Sequence, residues 1–292
     1  MIKLERGNIK LLIERPEKGY RGTRFDWTGK VVQLYWKNIP FCTSENYKGR
    51  KVNGGRGFFN EFGLTDPVGY DDCKVGAFFP KIGVGLLCKE TPEPYDFSHT
   101  YRMKPIHFSE VVDNSAVLFH CLNKDFDSAF FLKKEFNICE DGFTIDYFLE
   151  NVGQCEIKTS EYVHNFLAPG GKNISKHTRL RFNGKLCPIQ YNKGLSANAV
   201  VLYNEHTVNW SRTPNEEFFY ENIADPVKNS TNWTLINEHL GIGISETVNF
   251  NPTKINLWGR KHVVSPEVFK GIHLKPGESD TWQRTYSVFN VG

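Results

Sequence analysis

A chain of 292 residues is long enough to bury a large core, and with 24% charged and 39% hydrophobic residues it is not a mainly disordered polymer. The formal charge of +3, from 36 Lys and Arg against 33 Asp and Glu, is so evenly spread that KHTRLRF is the densest basic run, and no nucleic-acid partner is called for. No apolar run is long enough to span a bilayer, and the opening MIKLERGNIKLLIERPEKG carries charges where a signal peptide needs an unbroken apolar stretch, so a cytoplasmic protein with no membrane partner is expected.

In chain order, YRGTRFDWTG at 20–29 threads two arginines and an aspartate through aromatic residues. If extended, it sets Tyr20, Arg24 and Asp26 on one side and Thr23, Phe25 and Trp27 on the other, either as an ion pair on a solvated face or as the wall of a site. KVVQLYWKN (30–38) reads as a strand. In NGGRGFFNEFG, glycines flank Arg56 and would let the backbone pass close to a ligand, although a surface turn explains them equally. Lys81 in FFPKIGVGLL enters an apolar strand, where it either snorkels at an edge or serves a site. SAVLFHCL (115–122) and FTIDYFLEN (143–151) alternate as strands do. His164 follows in SEYVHNFLAPGGKN, as a structural histidine or a proton carrier. After ANAVVLYN (197–204) and GIGISETVNF (241–250), both strand-like, Glu267 stands behind Ser-Pro in VVSPEVF, where Pro then Glu would also open a helix.

VNGGRG, NKDFDS, NVGQ, APGGKN and KPGESD punctuate these runs as turns, and an aromatic share of 14% with 23 Phe suits half-buried sheets. With no linker, low-complexity tract or fixed repeat, one continuous all-β domain over 1–292 is expected, a large sandwich in preference to a closed barrel. Seven scattered cysteines with no CxxC pair suggest reduced thiols, with neither disulfide framework nor metal site. GxSxG, HExxH, an EF-hand loop and a P-loop are missing, and GVGLLC lacks the third glycine of a dinucleotide fingerprint.

Taken in order, YRGTRFDWTG, GGRGFFNEFGLTDPVGYD, FFPKIGVGLL, EYVHNFLAPGG, NEHLGIGISETVNFNPTKINLWGRKHVVSPEVF and IHLKPGESDTWQRTYSVF cover most of the chain and resemble the galactose mutarotase-like superfamily, in its aldose 1-epimerase-related branch. The resemblance implies a β-supersandwich of two large, mostly antiparallel sheets, with a small-molecule sugar, free or phosphorylated, bound in the cleft of one sheet and no cofactor. It casts His164 as the general acid that protonates the ring oxygen and Glu267 as the general base that takes the anomeric proton, on opposite sides of one ring. It makes Arg56 the holder of a sugar hydroxyl. Lys81 stands where many relatives present a histidine, a departure that leaves the sugar's identity open. Arg24 would project into the cleft with Asp26 as its orienting partner and Tyr20 as a wall, Trp258 would be a stacking platform or a core residue, and Arg260, Lys261 and Lys172 could meet a phosphate. Besides an anomer-interconverting enzyme, the resemblance admits a sugar-binding protein without turnover and a different reaction on the same scaffold.

Overall fold

The period-two pattern is plainest in FFLKKEFNI, where Phe130, Leu132, Lys134, Phe136 and Ile138 are buried and the residues between them are half-buried. Such a strand packs one face and shows the other to water. In the computed structural model, which describes residues 1–46, 53–124, 128–187 and 200–291, this pattern builds two large sheets and one small one.

The nine-stranded sheet runs in the order β1 (Ile2–Arg6), β2 (Ile9–Glu14), β3 (Lys30–Trp36), β5 (Gly57–Phe62), β13 (Ile157–Phe166), β21 (Val263–Leu274), β20 (Pro252–Arg260) and β17 (Phe218–Tyr220), with β4 (Ile39–Pro40) paired to β3. The ten-stranded sheet runs β15 (Val201–Tyr203), β16 (Thr207–Trp210), β14 (Thr178–Phe182), β18 (Thr231–Asn237), β19 (Ile242–Val248), β22 (Ser279–Asn290), β12 (Gly142–Asn151), β11 (Phe130–Ile138), β10 (Ala116–Asn123) and β9 (His107–Val112). A small third sheet joins β6 (Phe78–Lys81), β7 (Gly85–Cys88) and β8 (Met103–Pro105). Every ladder among the described strands is antiparallel. All five strands read from the sequence are present, the first three residues of ANAVVLYN lying outside the described residues, as do Val52 of VNGGRG and the centre of NKDFDS.

The two large sheets close on one apolar cluster that draws residues from Ile2 to Val288. Phe58 of one sheet meets Phe143 and Tyr286 of the other with ring centroids 5.1 and 4.6 Å apart. Arg284 is fully buried in this layer, donating from Nη2 to Glu161 and from Nη1 to Glu246, each at 2.7 Å. Glu246 also accepts from Tyr286 and Trp233.

The nine-stranded sheet differs from its partner in being buried on both faces near its middle, as GFFNEF shows with all six residues buried. A second aromatic cluster, including Tyr20, Phe25, Trp27, Phe59, Phe79, Tyr101, Phe166 and Trp258, covers the face turned away from the ten-stranded sheet. Segment 20–29 belongs to that cover, and it is irregular rather than a strand. Tyr20 Oη accepts from the backbone N–H of both Arg24 and Phe25, at 3.1 and 2.9 Å, which curls the chain and cancels the expected alternation. Asp26 and Trp27 then donate their N–H groups to Asn60 and Gly83 rather than to a strand ladder.

Candidate functional site

The site forms where β13 passes β21. Their ladder runs from Ile157↔Leu274 to Tyr162↔Phe269 and returns as a single bridge at Leu167↔Val264. In that register His164 faces Glu267 and Asn165 faces Pro266. Proline has no N–H to give a ladder, and Asn165 Nδ2 meets the Pro266 carbonyl instead, at 2.7 Å. Glu267 is therefore a mid-strand residue, not the opening of a helix. Alternation along β13 sends Glu161 and Val163 into the inter-sheet layer, while Tyr162, His164 and Phe166 face the other way.

His164 and Glu267 are both nearly inaccessible, with side chains 5% and 4% exposed, and Nε2 lies 3.3 Å from Oε1. Ser265, two residues before Glu267 on the same face of β21, places its Oγ 2.7 Å from His164 Nδ1 and 3.3 Å from Glu267 Oε1. The imidazole stacks on Phe166 at 4.0 Å and meets the edge of Trp258 at 5.2 Å. The two groups thus stand side by side, not across the width of a ring. That spacing suits a hemiacetal, whose two oxygens hang on one carbon.

Burial sets their protonation. It pushes Glu267 up to about 8, with Arg24 and Ser265 opposing the rise and Glu61 adding to it. It holds His164 well below the usual histidine range, and the positive charge of Arg24 adds to that. Burial thus favours the uncharged form of each group, the protonated carboxyl and the neutral imidazole.

Both groups line a cavity of about 450 Å³ together with Arg24, Glu45, Leu64, Phe97, Tyr162, Glu217, Phe219, Trp258 and Arg260. A volume of this order suits one small ligand. Arg24 lies between the rings of Phe25 and Phe97, 4.4 and 4.5 Å from their centroids. Its Nε donates to Glu61 at 2.9 Å and its Nη2 to Tyr162 at 3.0 Å. Glu217 accepts from Trp258 Nε1 at 3.0 Å and from Arg260 Nε at 2.6 Å.

Of the residues singled out in the sequence, Arg24, His164, Trp258, Arg260 and Glu267 meet at this cavity, and the others do not line it. Asp26 is not the partner of Arg24: its carboxylate is bound by Lys134 of the ten-stranded sheet at 2.8 Å and by the Thr28 hydroxyl. Lys81 does not snorkel and does not line the cavity. Its ammonium is fully buried, donates to the Gly63 carbonyl at 2.8 Å and lies 3.5 Å from Glu61, behind Arg24, and burial lowers it to about 8. Arg56 is half-buried where its backbone bridges Ser44. Lys172 lines a separate small hollow beside Asn173.

Sequence reasoning missed Glu45, Leu64, Phe97, Tyr162, Glu217 and Phe219 in the lining, and Ser265 and Glu61 behind it. A signal existed for Glu61, a carboxylate in an otherwise apolar and aromatic run, which has to find a cation. A larger hollow of about 550 Å³ on the outer face of the ten-stranded sheet, lined by Phe131, Glu135, Asp146 and Phe148, holds no histidine. Its Asp146 is already bonded by Asn137, Thr144 and Gln283.

An antiparallel sandwich with a buried histidine–glutamate pair on the outer face of one sheet is the class the coordinates define, and known structures make the fold specific. A candidate aldose 1-epimerase from Escherichia coli K12 superposes with a TM-score of 0.63 at 12% identity, over 99% of this chain and 98% of its own. A galactose mutarotase-like protein from Clostridium acetobutylicum gives 0.59 at 13% identity, over 99% and 94%. A GalM/aldose epimerase homologue from C. elegans gives 0.57 at 11% identity, over 100% and 99%. The chain has the galactose mutarotase-like fold. No protein-family model and no curated protein sequence matches it.

Proposed function

We propose that the protein interconverts the α and β anomers of an aldose or a related hexose derivative by acid–base ring opening. The observation that carries the reading is the buried, mutually adjacent His164 and Glu267 in a ligand-sized cavity. One group supplies a proton to the ring oxygen as the other accepts one from the anomeric hydroxyl, and no charge needs to leave the cavity. Phe97, Phe219 and Trp258 offer ring faces to the C–H surfaces of a sugar, and Arg24 offers a fixed donor. The fold, shared with proteins described as aldose epimerases and mutarotases, agrees with this reading.

The test is saturation transfer between α and β resonances for a panel of free and 6-phosphorylated aldoses, with Glu267→Gln beside the wild type. Exchange accelerated by the wild type and lost in the variant is expected. A second reading, sugar binding without turnover, draws on the aromatic rings Phe97, Tyr162, Phe219 and Trp258 in the wall; binding with no accelerated exchange would put it first.

A further inference from the structure

Resting on that reading, we infer that Ser265 is a proton relay joining Glu267 to His164, so that ring opening proceeds through a closed circuit in which no residue becomes charged. The geometry is the starting point. The hydroxyl of Ser265 is fully buried, contacts Nδ1 of His164 at 2.7 Å and Oε1 of Glu267 at 3.3 Å, and leaves Nε2 beside the carboxyl. A hydroxyl has one proton to donate and lone pairs to accept. When Glu267 is protonated it can donate to Ser265, which then donates to Nδ1, so His164 must carry its proton on Nε2. When Glu267 is ionised the hydroxyl turns to it, and Nδ1 must be the protonated nitrogen. The serine thus couples the state of the carboxyl to the tautomer of the imidazole.

The circuit balances. Glu267 passes its carboxyl proton to Ser265 Oγ, Ser265 passes its own to His164 Nδ1, and His164 passes its Nε2 proton to the ring oxygen. The bond from the anomeric carbon to the ring oxygen breaks, and its electron pair stays on that oxygen. The anomeric hydroxyl gives its proton to the second carboxyl oxygen of Glu267, and the released pair completes the aldehyde carbonyl. Glu267 ends protonated, Ser265 intact and His164 neutral in its other tautomer. Closure on the opposite face of the rotated carbonyl runs the same path backwards.

The surroundings favour this route over a separated imidazolium and carboxylate. Arg24, whose charge opposes protonation of the imidazole, is already engaged by Glu61 and Tyr162, and the rings of Phe25, Tyr162, Phe166 and Trp258 surround the imidazole. Charge created in such a place is poorly solvated.

The experiment compares wild type, Ser265→Ala and Ser265→Thr by kcat, KM and a proton inventory in mixed H2O and D2O. Expected are a curved inventory for the wild type, a drop of about a hundredfold in kcat at unchanged KM with a linear inventory for Ser265→Ala, and recovery of both properties in Ser265→Thr, the loss being the low end of what a general acid or base contributes. A Ser265→Ala enzyme with wild-type kcat, or with reduced kcat and an unchanged curved inventory, overturns the relay. Should no sugar be turned over, the anomer reading falls, and the relay is judged on the 15N resonances of His164 in the free protein. A wild-type Nδ1 that accepts a hydrogen bond, with its resonance displaced in Ser265→Ala, sustains the coupling; a protonated Nδ1 near neutral pH overturns it.

Discussion

Glu161 and His164 stand three residues apart on β13 and meet opposite fates. Glu161 points into the layer between the sheets, where Arg284 holds it in a doubly bonded ion pair and binds Glu246 with its other nitrogen. His164 points the other way, and the carboxyl beside it is itself driven to about 8 by burial. The same strand therefore buries a compensated charge on one face and an uncompensated acid–base pair on the other. The first arrangement binds two sheets together; the second keeps a proton loosely owned at neutral pH, which is what proton transfer needs.

The comparison breaks most sharply at Glu267. Glu267→Gln should lower kcat by roughly 10² to 10⁴. The folded-state value of Glu267 lies above the unfolded one, so its favourable contribution to stability is complete below the ordinary carboxylate range and is lost as pH rises through about 8. The variant should therefore gain stability over the wild type as pH climbs, by roughly 2–4 kcal/mol at pH 8. Urea titrations at pH 5 and 8 check this, and a variant less stable than wild type at pH 8 would contradict the uncompensated burial of Glu267.

Arg284→Ala probes the other face. It strands Glu161 and Glu246 without their cation and should cost about 3–5 kcal/mol. Anomer exchange per folded molecule should be little changed, because Arg284 does not line the cavity. A stability loss below about 1 kcal/mol would mean that the two faces are not as different as their bonding implies.

The pH profile sharpens the comparison on its catalytic side. If turnover starts from a protonated Glu267 and a neutral His164, activity falls as pH rises through about 8 and is lost on the acid side only well below the ordinary histidine range. Activity that instead rises through about 8 would mean that the ionised carboxylate is the working form.

Part of this was legible in the sequence. Strands with one wet face declare themselves by alternation, and His164 and Glu267 were marked by motifs that keep their order along the chain. What failed was any inference that needed a partner. Asp26 looked like the mate of Arg24 two residues away, but its mate is Lys134 on another sheet. Lys81 looked like an edge or site residue because its anion, Glu61, lies on a different strand. Segment 20–29 alternates in sequence yet not in space, since Tyr20 bonds two backbone N–H groups that a strand would have paired. Ser265 could not be read at all without the register that brings His164 opposite Glu267. The proline beside it, which in sequence could open a helix, lies instead in a strand flanked on both sides.

The smallest expected effect tests whether the cavity wall acts on binding rather than on chemistry. Phe97 is 38% exposed and covers the outer face of the Arg24 guanidinium, whose inner face rests on buried Phe25. Phe97→Ala removes one of these two ring contacts and leaves the bonds from Arg24 to Glu61 and Tyr162 in place. The face that Phe97 offers to the sugar goes with the ring, and a contact worth about 0.5–1 kcal/mol corresponds to a rise in KM of roughly two- to fivefold. The transition state and the bound sugar should lose it equally, so kcat should hold. A fall in kcat at constant KM would place Phe97 in the chemistry, and would mean that the arginine it covers steers the proton circuit as well as the sugar.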